Sequence, residues 1–86
     1  MYKISLHKKA VKYYQSIDNN TAKRINKAID EISKNPFEGA NIKRLKGKYE
    51  GKYRYKVGGL RIIYRIVEDA KTILVEAIGP RGDVYK

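Results

Sequence analysis

"KYRYKVGGLRIIYR", residues 52–65, is the stretch on which the fold turns. Two alternating runs flank Gly58-Gly59, and a Gly-Gly pair in that setting predicts a two-residue β-hairpin loop. The register then has no freedom left: Val57 faces Leu60, Lys56 faces Arg61, Tyr55 faces Ile62, Arg54 faces Ile63, Tyr53 faces Tyr64 and Lys52 faces Arg65. Because strand side chains alternate between faces, one surface collects Tyr53, Tyr55, Val57, Leu60, Ile62, Tyr64 and Ile66, ready to pack. The other collects Lys52, Arg54, Lys56, Arg61 and Arg65 around Ile63. Like charges directly opposed across a sheet cost roughly 0.2–1 kcal/mol per pair, so this basic face calls for neutralisation from outside the chain.

The whole composition points the same way. The chain has 86 residues with 20 Lys plus Arg against 9 Asp plus Glu, a formal net charge of +11. A polyanion, nucleic acid first, is the expected partner. At this length one modest core is expected, and the chain reads as a single domain, residues 1–86. It has no Cys, which excludes a disulfide framework, a thiolate zinc site and a cysteine nucleophile, and fits a cytoplasmic compartment. No run of 18 apolar residues occurs and the N-terminus lacks a leader pattern, so no membrane partner and no processing are expected.

Outward from the hairpin, "TILVEAIG" (72–79) is apolar on both faces and predicts a central strand, reached through an "EDAK" turn. At the other end "YKISL" (2–6) alternates as a half-buried strand. Ala10, Tyr13, Tyr14 and Ile17 then recur at helical spacing, "DNN" (18–20) supplies turn and N-cap chemistry, and Ala22, Ile25, Ile29 and Ile32 mark a second helix that Asn35-Pro36 stops. Residues 36–51, "PFEGANIKRLKGKYEG", have no clean period and predict a mostly irregular connection carrying Lys43, Arg44, Lys46 and Lys48. The order β-α-α-β-β-β is α+β: a helix hairpin packed on one face of a small, mainly antiparallel twisted sheet.

Residue inventory narrows the chemistry. His7 is the only histidine, at a strand-to-helix junction, which disfavours a Ser-His-Asp triad and excludes a two-histidine ribonuclease. Residues 43–65 contain one acid, Glu50, among nine Lys and Arg, and Glu76 with Asp83 makes a poor metal pair, so neither metal nor cofactor is expected. RNA carries its own nucleophile: a 2′-hydroxyl can attack the adjacent phosphate, with arginines stabilising the phosphorane, a lysine accepting a proton and a tyrosine orienting a nucleotide. Five phosphate contacts to a single strand would give a log–log salt slope of about −3.5. The basic face therefore fits binding, catalysis or both.

"YRYKVGGLRIIYRI" followed by "ILVEAIGPRGDVYK" resembles the RelE/ParE toxin superfamily, specifically the RelE-like mRNA interferases of type II toxin–antitoxin systems. The resemblance extends over essentially the whole chain. It implies a RelE-like fold and a metal-independent, ribosome-dependent endoribonuclease that cleaves mRNA. Residue by residue, it implies that Arg61 stabilises the transition-state phosphate, that Arg81 does so too or donates a proton, and that Tyr85 orients the cleaved nucleotide. Lys52 and Arg54 match two basic positions, of which only Lys52 can serve as general base, since arginine stays charged. Lys43, Arg44, Lys46, Lys48, Lys56 and Arg65 would hold RNA. Implied partners are a cognate RelB-like antitoxin, mRNA and the ribosome, and operator DNA only through the toxin–antitoxin complex. Pro80 stands where relatives often carry a His or Lys, which leaves the proton donor open. The alternatives are a ParE-like inhibitor of DNA gyrase and a non-catalytic RNA-binding module.

Overall fold

The computed structural model describes residues 1–80. Strand β1 (Lys3–Leu6) leads into helices α1 (Lys8–Gln15) and α2 (Asn19–Lys34), followed by strands β2 (Ile42–Arg44), β3 (Lys52–Val57), β4 (Leu60–Val67) and β5 (Thr72–Pro80). The five strands form one sheet in the order β1-β5-β4-β3-β2, with β1 parallel to β5 and every other pair antiparallel. No described helix is long and apolar enough to cross a membrane.

The hairpin adopts the register that its loop dictates: all six expected pairs, from Val57 with Leu60 to Lys52 with Arg65, are present. Gly58 sits at φ 57 and Gly59 outside the left-handed region, as in a type II′ loop. The Arg24 guanidinium also occupies the space a side chain at Gly58 would enter, 2.2 Å from an added Cβ. Arg24 is flexible and can move, whereas the backbone angle cannot change without breaking the register. Gly58→Ala is therefore expected to destabilise by about 1–3 kcal/mol, and Gly59→Ala by much less. Denaturant midpoints of the two variants check this.

Each helix starts where its sequence supplies a cap. His7 Nδ1 accepts from the Lys9 N–H at 3.1 Å, and Asp18 Oδ1 accepts from the Thr21 N–H at 3.0 Å. The bond to Thr21 holds the Asp18 carboxyl below its ordinary pKa. Ala10, Ile25, Ala28 and Ile32 then bury the helix hairpin against Tyr53, Tyr55, Ile62, Tyr64, Ile73, Val75 and Ile78 on one face of the sheet. Tyr64 is fully buried, stacks on Tyr53 at 5.5 Å and donates its hydroxyl to the Pro36 carbonyl at 2.7 Å. Burial pushes the Tyr64 hydroxyl pKa up, so this donor keeps its proton across the working range.

Two features depart from the expected architecture. The connection at residues 36–51 is not wholly irregular: Ile42–Arg44 pairs with β3 as a fifth strand, and Gly47–Tyr49 forms a 3₁₀ turn. Three residues are too few to display a period, so this edge strand leaves no pattern to read. The second departure is a β-bulge between β4 and β5, where Ile63 pairs with Ala77 and Tyr64 with Val75, leaving Glu76 without a partner on β4. The extra residue resets the alternation: Ile73, Val75 and Ile78 all reach the helix-side core, while Ala77 packs with Ile63 on the opposite face.

Candidate functional site

The face of the sheet turned away from the helices carries the cations. On β3 and β4 the register places Lys52 opposite Arg65, Arg54 opposite Ile63 and Lys56 opposite Arg61. Strand β2 adds Lys43 opposite Arg54, whereas Arg44 stands opposite Tyr53 and so belongs by register to the helix side. Lys46 and Lys48 are exposed around the 3₁₀ turn, with Lys48 Nζ 5.3 Å from the Tyr49 ring centroid. The structure therefore brings together Lys43, Lys52, Arg54, Lys56, Arg61 and Arg65, and leaves Arg44, Lys46 and Lys48 at the margin. Arg81 and Tyr85 lie outside the described residues.

The wall is not a uniform layer of solvated charge. Ile63, Ala77 and half-buried Leu45 form a small apolar cluster on it, where only Ile63 was expected. The cations around that cluster are partly sunk. Arg61 is 9% exposed, and its one hydrogen bond among the described residues is a long one, 3.5 Å, from Nη1 to the Leu60 carbonyl. Arg54 is half-buried, and its Nε is buried with no hydrogen-bond acceptor among the described residues. Neither guanidinium has a carboxylate partner within that set. A buried cation without an anion is costly, so an anion reaching the Arg54–Arg61 region would find two guanidinium groups that no described carboxylate neutralises.

At the Lys52 end the situation is reversed. Glu76, next to core-facing Val75 and unpaired at the bulge, stands on this face, where Oε1 lies 2.8 Å from Lys52 Nζ and Oε2 lies 3.3 Å from Arg65 Nε. The Lys52 contact is ionic and not well aligned, because Oε1 is buried and accepts no hydrogen bond. Lys52 and Arg65 are thus neutralised in part from within the chain. Sequence reasoning set Glu76 aside as a weak metal ligand, and no signal in "ILVEAI" reveals the bulge, since apolar residues occupy both faces of that strand. Among the described residues no group of three or more His, Cys, Asp or Glu converges as a metal site.

The chemistry that follows is anion binding on a rigid sheet. Arg54 and Arg61 offer planar, permanently charged donors beside an apolar floor, suited to a phosphodiester with a base or sugar lying against Ile63 and Leu45.

Comparison with known proteins identifies the family. Residues 4–85 match the family model described as the ParE toxin of type II toxin–antitoxin systems, parDE. The curated relative "Putative toxin RelE1" of Methanocaldococcus jannaschii is 30% identical, over 99% of this chain and 96% of its own length. Among solved structures, the archaeal RelE-RelB complex from Pyrococcus horikoshii OT3 superposes with a TM-score of 0.79 at 28% identity, covering 94% of this chain and 96% of that one. The intact E. coli RelBE toxin–antitoxin complex gives a TM-score of 0.81 at 21% identity, over 93% of this chain and 96% of that one. A fold shared along the full chain, a family match from the first strand to the tail and a relative at this identity converge on one assignment: the chain belongs to the RelE/ParE toxin superfamily.

Proposed function

We propose that this chain is the toxin of a type II toxin–antitoxin pair and acts as a metal-independent endoribonuclease on ribosome-bound mRNA. The observation that carries the proposal is a pair of arginines under-partnered among the described residues: Arg61, nine-tenths buried with no carboxylate in that set, beside Arg54, whose buried Nε has no acceptor in it. In the reaction the 2′-oxygen attacks the adjacent phosphorus as its proton leaves. The bond from phosphorus to the 5′-oxygen then breaks, giving a 2′,3′-cyclic phosphate and a 5′-hydroxyl once that oxygen takes up a proton. Arg61 and Arg54 stabilise the charge that builds on the non-bridging oxygens. Lys52 flanks them as the member of the set able to exchange a proton, gripped in the free protein by Glu76. Arg81 and Tyr85 complete the set, as charge stabiliser and nucleotide-orienting ring. Lys43 and Lys56 extend the strand's path along the wall.

The RelE-RelB and RelBE complexes among the structural neighbours support a cognate antitoxin as the protein partner. Operator DNA, in this reading, is engaged only by the pair. The test is induction in cells with mapping of RNA 5′ ends across translated messages. Cuts clustered in the codon occupying the ribosomal A site are expected. DNA breaks and supercoiling defects without such cuts would overturn the nuclease reading in favour of gyrase inhibition.

A further inference from the structure

We infer that Glu76 is a built-in counter-ion that withholds Lys52 and Arg65 from the phosphates of RNA, so that phosphate contacts on the wall fall to the four cations without an acidic partner among the described residues. The inference rests on the RNA-binding reading of the face, leaves Lys52 its place beside the reacting 2′-hydroxyl, and adds which cations the phosphates meet. Three observations carry it. Glu76 follows core-facing Val75 on β5 and so stands on the cation face, where the bulge at Ile63/Tyr64 leaves it without a partner on β4. Its two carboxylate oxygens are divided between two cations on neighbouring strands, Lys52 at 2.8 Å and Arg65 at 3.3 Å, which themselves stand opposite each other. The other cations of the wall, Lys43, Arg54, Lys56 and Arg61, have no such carboxylate among the described residues.

The consequence is directional. A carboxylate seated between a lysine and an arginine occupies the place and charge of a phosphate group. An incoming strand gains little there unless it displaces Glu76, and a carboxylate with a buried oxygen on a rigid strand does not swing away freely. Phosphates therefore settle at the Arg54–Arg61 end. Glu76 acts through Lys52 and Arg65, and so it is a positioning residue: it sets the number of cations that the RNA meets.

The salt dependence of binding measures that number. For a short 2′-O-methyl oligoribonucleotide, which lacks the nucleophile and cannot be cleaved, the four wall contacts contribute about −2.8 to the log–log slope of the wild-type protein. Glu76→Gln, nearly isosteric, frees two more cations and is expected to tighten binding at low salt and steepen the slope by about 1.4. Adding Lys52→Gln and Arg65→Gln to that variant should return the slope to the wild-type value. A purely structural role for Glu76 would alter thermal stability and leave the slope alone, so an unchanged or shallower slope in Glu76→Gln overturns the inference. Glu76→Ala carries the same expectation and keeps the test open should the glutamine variant fold poorly. Arg54→Gln and Arg61→Gln serve as the control on the underlying reading: each should make the slope shallower by about 0.7. If neither changes it and wild-type binding is insensitive to salt, the RNA face itself falls, and Glu76 with it.

Discussion

Replacing Arg61 by alanine is expected to lower RNA cleavage by about 10²- to 10³-fold, the usual cost of losing one preorganised charge-stabilising donor. The protein should remain folded. Arg61 makes no ion pair among the described residues, its one hydrogen bond there is 3.5 Å long, and it is 9% exposed. A guanidinium held this way destabilises the free protein, and exchanging a buried ion for an apolar group of similar volume is often neutral or stabilising by about 1–4 kcal/mol. Arg61→Met, which keeps the apolar stem, should therefore melt at or above the wild-type temperature while losing cleavage to a similar degree. Initial cleavage rates on programmed ribosomes, set beside thermal melts, check both halves. Full cleavage by either variant would remove Arg61 from the site, and a large loss of stability in Arg61→Met would mean that the side chain serves the fold.

The second large effect concerns stability. Tyr64→Ala is expected to cost about 3–5 kcal/mol, the range for emptying a buried aromatic site. Measured against a total stability on the order of 5–15 kcal/mol, such a loss leaves the domain at the edge of unfolding. Tyr64 is fully buried, stacks on Tyr53 and ties Pro36, at the end of the helix hairpin, to the middle of the sheet. Tyr64→Phe isolates the hydroxyl: it leaves the Pro36 carbonyl without its donor and is expected to cost about 1–3 kcal/mol. Urea midpoints at unchanged slope separate the two variants. A Tyr64→Phe variant as stable as the wild type would show that water satisfies Pro36 equally well.

The proposed cleavage and the stability of the domain would thus draw on opposite faces of the same two strands. Ile62 and Tyr64 point into the helices, while Arg61, Ile63 and Arg65 belong to the wall, with the bulge beyond Ile63 restoring the core alternation on β5. A substitution that fails only in cleavage identifies a wall residue; one that fails in both identifies a core residue.

Much of this molecule was legible before any coordinate. A two-residue Gly-Gly loop fixes the pairing of the residues beside it, and period-two alternation then assigns each side chain to a face, so the hairpin register and the basic wall follow from local geometry alone. The helix stripes and their caps are local for the same reason. The fifth strand, the bulge and the state of each cation are not local. Ile42–Arg44 becomes a strand because β3 offers it an open edge, and Glu76 on β5 reaches Lys52 on β3 across the intervening β4, at the bulge that leaves Glu76 unpaired. Periodicity cannot announce a bulge in a strand that is apolar on both faces. Nor can it distinguish a cation that is buried with no carboxylate among the described residues, as Arg61 is, from one held by a carboxylate, as Lys52 is. Burial and charge pairing are properties of the assembled sheet, where the electrostatic cost of each ion depends on what the rest of the chain has placed around it.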